Sequence, residues 1–148
     1  MTAEVERLYD ELVSVPAFKC VAPRAHLAGK PGIYLLSKNG EALYVGRSDD
    51  LRKRLAGHRH RAHGTATFAF LLARDETGIL QASYRAKGSR ADLLESNLVF
   101  SAAFDEARRR IGEMDVQTVE VEDPVRQALL EIYAAYVSGA KFDDFENH

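Results

Sequence analysis

The chain has 148 residues, of which 46% are hydrophobic and 28% charged, with a formal net charge of −2 and one cysteine. These values describe a single folding unit with enough apolar mass for a core. They exclude a disulfide-stapled scaffold, since one thiol cannot pair internally, and no apolar run nears the ~20 residues of a membrane span.

Taken from the start, Val5, Leu8, Tyr9, Leu12 and Val13 recur at i, i+3, i+4, i+7 and i+8. That spacing predicts an amphipathic packing helix over residues 1–16, closed by Pro16. The first residues lack the basic-then-apolar build of a signal peptide, so a cytoplasmic chain is expected, with Cys20 a small buried apolar residue rather than a nucleophile. Residues 17–31 give no clear element. Lys30-Pro31 holds the chain extended, and His26 has no ligand-spaced partner, which fits a surface role.

Gly32 to Leu36 is β-branched, aromatic and apolar and predicts a strand. Lys38-Asn39-Gly40-Glu41 carries Asn-Gly, the dipeptide of a two-residue hairpin turn with positive φ at both central positions. Ala42 to Gly46 is the returning strand. Tyr34 and Tyr44 then lie on antiparallel neighbours, and their rings meet if the register puts them on one face. Ser48 or Asp49 is expected to cap a helix beginning near Asp50. On it Leu51 and Leu55 share one face, while Arg54, His58 and Arg61 form a basic stripe on another. From Arg47 to His63 six cations (Arg47, Arg52, Lys53, Arg54, Arg59, Arg61) face two acids, a local +4 that leaves −6 for the remainder. Arg47, Arg52, Lys53, Arg59 and Arg61 are therefore candidate phosphate contacts.

Beyond Gly64, Phe68 to Ala73 is apolar nearly all round and predicts a buried helix ending at Gly78. Ile79 to Gly88 is ambiguous between strand and loop. Ser89-Arg90-Ala91-Asp92 resembles a capping box. A helical stretch follows to about Gly112, with Leu94, Leu98, Ala102 and Ala107 among its apolar positions. Its Arg108-Arg109-Arg110 run suits a helix C-terminus better than a second phosphate patch. Asp115 to Glu122 predicts a third strand, and Asp123-Pro124 starts a last helix that ends at Gly139. Glu131 is the only charge between Ala128 and Val137. A carboxylate in such surroundings needs a partner, and a cation would serve.

Gly32-Ile33-Tyr34, Tyr44-Val45-Gly46, Arg54 and His58, in this order on a hairpin and basic helix, resemble the opening half of a GIY-YIG nuclease domain. The later strand, Asp-Pro cap and Glu-bearing helix resemble its second half. The resemblance covers about 32–58 and 115–145. It implies an α+β fold with a small three-stranded antiparallel sheet flanked by helices, here with a helical insertion at 64–114. It also implies a metal-dependent endonuclease with Tyr34, Tyr44, Arg54, His58 and Glu131 as catalytic residues, and Glu131 as the ligand of Mg²⁺ or Mn²⁺. Glu95 is the rival for that role, disfavoured because a strand should precede the catalytic helix. The family's usual asparagine after this helix is replaced, with Asp143 the supporting equivalent. The expected partner is nucleic acid, DNA before RNA, cut with weak or structure-based selectivity. The alternatives are a catalytically silent nucleic-acid-binding module of this fold, and an assembly adaptor using the aromatic, acidic tail.

Overall fold

The computed structural model describes residues 2–22, 24–59, 66–78 and 98–143. In chain order the elements are α1 (Thr2–Ser14), β1 (Phe18–Lys19), a 3₁₀ turn (Ala25–Leu27), β2 (Gly32–Lys38), β3 (Glu41–Ser48), α2 (Leu51–Gly57), α3 (Thr67–Thr77), α4 (Leu98–Gly112), β4 (Asp115–Glu120), α5 (Pro124–Ser138) and β5 (Phe142–Asp143). The α+β class is as expected. The three-stranded sheet is not: the order is β1-β4-β2-β3-β5, with four antiparallel strands and β5 parallel to β3. The expected strands form its centre. The two added edge strands have two residues each, too few for any alternation to show in the sequence.

The β2–β3 turn has Asn39 at φ 52° and Gly40 at φ 79°, the double positive φ that Asn-Gly predicts. Next to it the register slips. Ser37 pairs with Ala42 but Leu36 pairs with Tyr44, so Leu43 is an extra residue on β3. This bulge decides which side chains share a face.

Helices cover both faces of the sheet. Tyr34, Leu36, Tyr44 and Val116 point into a core shared with Leu51, Leu55, Phe68, Phe70, Phe100 and Phe104 of α2, α3 and α4. Ile33, Leu35, Val45 and Val119 point the other way, onto Val5, Leu8 and Leu12 of α1 and Leu130 and Ala134 of α5. The period-2 alternation of β2 thus feeds two separate cores. Gln117 Nε2 donates to the carbonyls of Val13 (3.1 Å) and Val15 (2.9 Å), satisfying acceptors at the end of α1.

Several local expectations need correction. Asp50, rather than Ser48 or Asp49, caps α2, its carboxylate accepting from the Lys53 amide at 3.1 Å. Ser48 Oγ instead accepts from the Asp50 amide at 3.0 Å. The helix is shorter than expected. It ends at Gly57 with His58 as its C-cap, and the Arg59 amide closes back on Ala56 at 3.0 Å, a tightened last turn. The stripe of Arg54, His58 and Arg61 is therefore not one helical face, and Arg61 lies outside the described residues. On α4 the buried face is Phe100, Phe104, Ala107 and Ile111, whereas Leu98 is 83% exposed and Ala102 is exposed as well. The phenylalanines, being larger, take the core against Phe70.

Candidate active site

Because of the bulge, Tyr34 pairs with Gly46 and Leu36 with Tyr44, so both tyrosines face the α2–α3 side. Their ring centroids are 6.1 Å apart. His58 closes the cluster from the end of α2. Its Nε2 is 2.6 Å from the Tyr34 hydroxyl, and its ring meets Tyr44 edge-on at 5.2 Å. Phe68 of α3 stacks on Tyr44 at 4.6 Å. A Cβ on Gly46 would stand 2.3 Å from the Tyr34 hydroxyl oxygen, so the phenol lies across a position that must carry no side chain. Gly46 stood in the motif, but its service as the seat of Tyr34 depends on the bulged register and was not readable beforehand.

Tyr34, Tyr44 and His58 have no exposed surface. Burial, and secondarily the charge of Arg54, holds His58 well below the usual imidazole range. The ring is therefore neutral at physiological pH, and with Tyr34 as the O–H donor, Nε2 accepts and Nδ1 carries the proton. Arg54 extends toward Thr67, with Nη2 donating to Oγ1 at 3.3 Å. It lines an open concavity of about 350 Å³ with Ser48, Asp49, Asp50, Lys53 and Gly57. Thr67 has no counterpart among the expected site residues; only its place at the start of α3 marked it.

Glu131 belongs to the other layer. With Gln127, Leu130 and Ala134 it forms the buried stripe of α5, and it is 4% exposed. Arg47, which shares a sheet face with Ile33 and Val45, brings Nε to 3.5 Å from Glu131 Oε1. Its Nη1 donates to the Pro124 carbonyl at 3.5 Å. Arg47, expected to contact phosphate, is thus also the counter-charge of the buried carboxylate. The two layers approach each other at one place. Gly46, under the Tyr34 hydroxyl, and Arg47, on Glu131, are consecutive on β3, past the Tyr44 and Val45 positions that β5 covers.

Among the described residues no group of three or more His, Cys, Asp or Glu side chains could hold a metal ion. Glu131 fits a divalent ion only as a single hard-oxygen ligand with water completing the shell, the manner in which Mg²⁺ is often held. Arg52 and Lys53 are exposed on α2, and Asp143 pairs through its backbone with Val45. Arg61 and the rival Glu95 lie outside the described residues. Cys20 is buried, which pushes its thiol up to about 11 and makes it a poor nucleophile. Arg108, Arg109 and Arg110, in the last turns of α4, are engaged with Asp105, Glu106, Glu113 and Glu76. No described helix is long and apolar enough to cross a membrane.

Comparison with known proteins gives one partial likeness. Over 35 residues the chain is 51% identical to the UvrABC system protein C of Methylococcus capsulatus, a stretch amounting to 23% of this chain and 6% of that protein. No protein-family model and no solved structure matches the chain.

Proposed function

We propose that the chain is a divalent-metal-dependent nuclease of the GIY-YIG type, hydrolysing phosphodiester bonds in DNA with weak or structure-based selectivity. The observation that carries the reading is the Tyr34–His58 contact at 2.6 Å beside Tyr44, on a hairpin whose bulge puts both phenols on one face. Arg54 near the imidazole, a buried carboxylate across the same strand edge and the partial likeness to a UvrABC component support it.

In this reading Tyr34 orients the attacking water and takes its proton, while neutral His58 accepts the phenol's own hydrogen. Arg54 sets its planar fork on the scissile phosphate, which a lysine cannot copy. Glu131 would hold Mg²⁺ or Mn²⁺, and the ion would neutralise charge on the phosphate and leaving oxygen. Arg47 balances Glu131 and would be free to contact a phosphate if an ion took over that role. The buried phenols must be uncovered when substrate binds.

The test is cleavage of supercoiled plasmid and single-stranded DNA with Mn²⁺. Glu131→Ala and Arg54→Ala should each lower the rate at least about a hundredfold. Activity that survives both substitutions overturns the assignment. Complete burial of both phenols favours a second reading, a silent nucleic-acid-binding module. Salt-sensitive DNA binding without calorimetric Mn²⁺ binding would select it.

A further inference from the structure

The outer face of α5 is apolar where it meets solvent. Val125, Leu129, Ile132 and Tyr136 recur at steps of four, three and four residues. All four are exposed, the first three between 39% and 59% and Tyr136 at 87%. Steps of three and four are the spacing with which one helix seats against another. Beside this seam the start of α1 completes an open groove of about 330 Å³, lined by Thr2, Val5, Leu129, Ile132, Tyr133 and Tyr136. Tyr133 stands edge-on to Tyr9 of α1, with ring centroids 5.5 Å apart, so both helices hold the groove in shape. A benzene ring fits an apolar cavity of about 150 Å³, so the groove has room for a phenol.

The face carries little charge. Among the exposed positions of α5 the only ionised side chain is Arg126, and its Nη1 is 3.2 Å from Glu4 Oε1 of α1. Nucleic acid and acidic lipid are held by clustered cations, which this face lacks. A second copy meets no like-charge repulsion across it. The area decides whether such a contact can hold. An aliphatic side chain buries roughly 60–120 Å² and an aromatic one roughly 150–250 Å², so the four exposed fractions come to about 400 Å² of apolar surface. Interfaces are about 65% apolar at their core, so two such faces correspond to a contact of about 1,200 Å² in total, where specific interfaces begin.

We infer that this face is a two-fold interface between copies of the chain, with the α5 helices crossing antiparallel and Tyr136 of each copy seated in the α1–α5 groove of the other. A two-fold contact must be self-complementary, and here the projecting ring and the receding groove lie on the same surface. The modest area gives a dimer that dissociates at about 10 µM. The inference does not depend on the nuclease reading, since the face lies outside the proposed site.

Sedimentation equilibrium of the full chain, without DNA or metal, over about 1–300 µM tests it. Wild type should pass from monomer to dimer across that range. Ile132→Glu and Tyr136→Glu should each raise the dissociation constant at least about tenfold, because each puts two unpaired carboxylates into an apolar contact. Both side chains are exposed, so the melting temperature at about 1 µM, where wild type is monomeric, should stay the same. Leu98→Glu, on the exposed start of α4, should leave association unchanged. A chain that stays monomeric, or a dimer indifferent to Ile132→Glu and Tyr136→Glu, overturns the interface. Binding of the monomer to phosphatidylcholine vesicles, lost in Tyr136→Glu, would assign the face to lipid and overturn it as well. A monomer that cleaves DNA sinks the interface alone, and a dimer that cleaves nothing sinks the nuclease reading alone.

Discussion

The two faces of the sheet bury side chains of different character. The α2–α3 face is aromatic, and it ties a buried phenol to an imidazole, with Arg54 close by. The α1–α5 face is largely aliphatic, and it buries the carboxylate of Glu131, which draws Arg47 over the strand edge. Among the described residues Tyr34 and His58 lie on one face and Glu131 on the other. Strand β3 touches both groups, through the adjacent positions Gly46 and Arg47. A site divided in this way depends on the strand register more than on any one pocket.

Glycine substitutions on the central strands break this arrangement most severely. A Cβ on Gly32 would sit 2.1 Å from the Val119 carbonyl oxygen, where only backbone can yield. Gly32→Ala should part β2 from β4 and cost about 3 kcal/mol, disturbing both layers at once. Gly46→Ala meets a side chain instead, the Tyr34 ring. It should cost about 1–3 kcal/mol and release the Tyr34–His58 contact, leaving the Tyr9–Tyr133 packing of the other layer intact. Urea unfolding measures both losses, and near-ultraviolet circular dichroism reports which tyrosines moved. Equal effects on both layers from Gly46→Ala would mean that the faces are not independent.

The next contrast is in pH dependence. His58 is held neutral in the native state, while the unfolded chain titrates it near the ordinary imidazole value of 6.5. Below that pH the unfolded state binds a proton that the native state refuses. Stability should therefore be complete above about pH 6.5 and fall by up to about 1.4 kcal/mol per pH unit as pH drops toward the native value. His58→Gln should remove this slope between pH 5 and 6.5 and keep the carboxylate-driven losses at lower pH. An unchanged slope in the variant would show that the native imidazole protonates freely.

The sequence made the hairpin, the central strands, the buried α3 and the capped α5 legible, because each carries a local signal. Asn39-Gly40 specifies the turn, and Asp123-Pro124 and Gly139 mark the two ends of α5. The register was not legible. Counting back from a two-residue turn without a bulge pairs Tyr34 with Val45 and Leu35 with Tyr44, which puts the phenols on opposite faces. Leu43 as an extra residue reverses this, and nothing in Glu41-Ala42-Leu43-Tyr44 announces it. The Arg47–Glu131 pair was hidden for a different reason. Its members are far apart in the chain and meet only when α5 packs across the sheet. The buried face of α4 was not legible because Leu98 and Ala102 fit a helical period as well as Phe100 and Phe104 do, and periodicity alone does not decide which stripe faces the core.

The smallest effect expected concerns the start of α5. The Asp123 carboxylate accepts from the Arg126 amide at 3.0 Å, and the neighbouring Pro124 carbonyl is the one that Arg47 reaches. Asp123→Ala should cost about 1 kcal/mol by leaving that amide unmet and fraying the first turn. The frayed turn loosens Arg47 at one of its two anchors; under the proposed metal role of Glu131, where the guanidinium and the ion would share one carboxylate, Mn²⁺ should bind more readily in the variant than in wild type. The His58-dependent pH slope should stay as it was, because His58 lies across the sheet from α5. Calorimetry with Mn²⁺ and urea unfolding at pH 5.5 and 7 read the two quantities separately. A slope that changes with Asp123 would mean that strain passes through Gly46 and Arg47 from one layer to the other, and that strand β3 couples the two halves of the site as well as holding them.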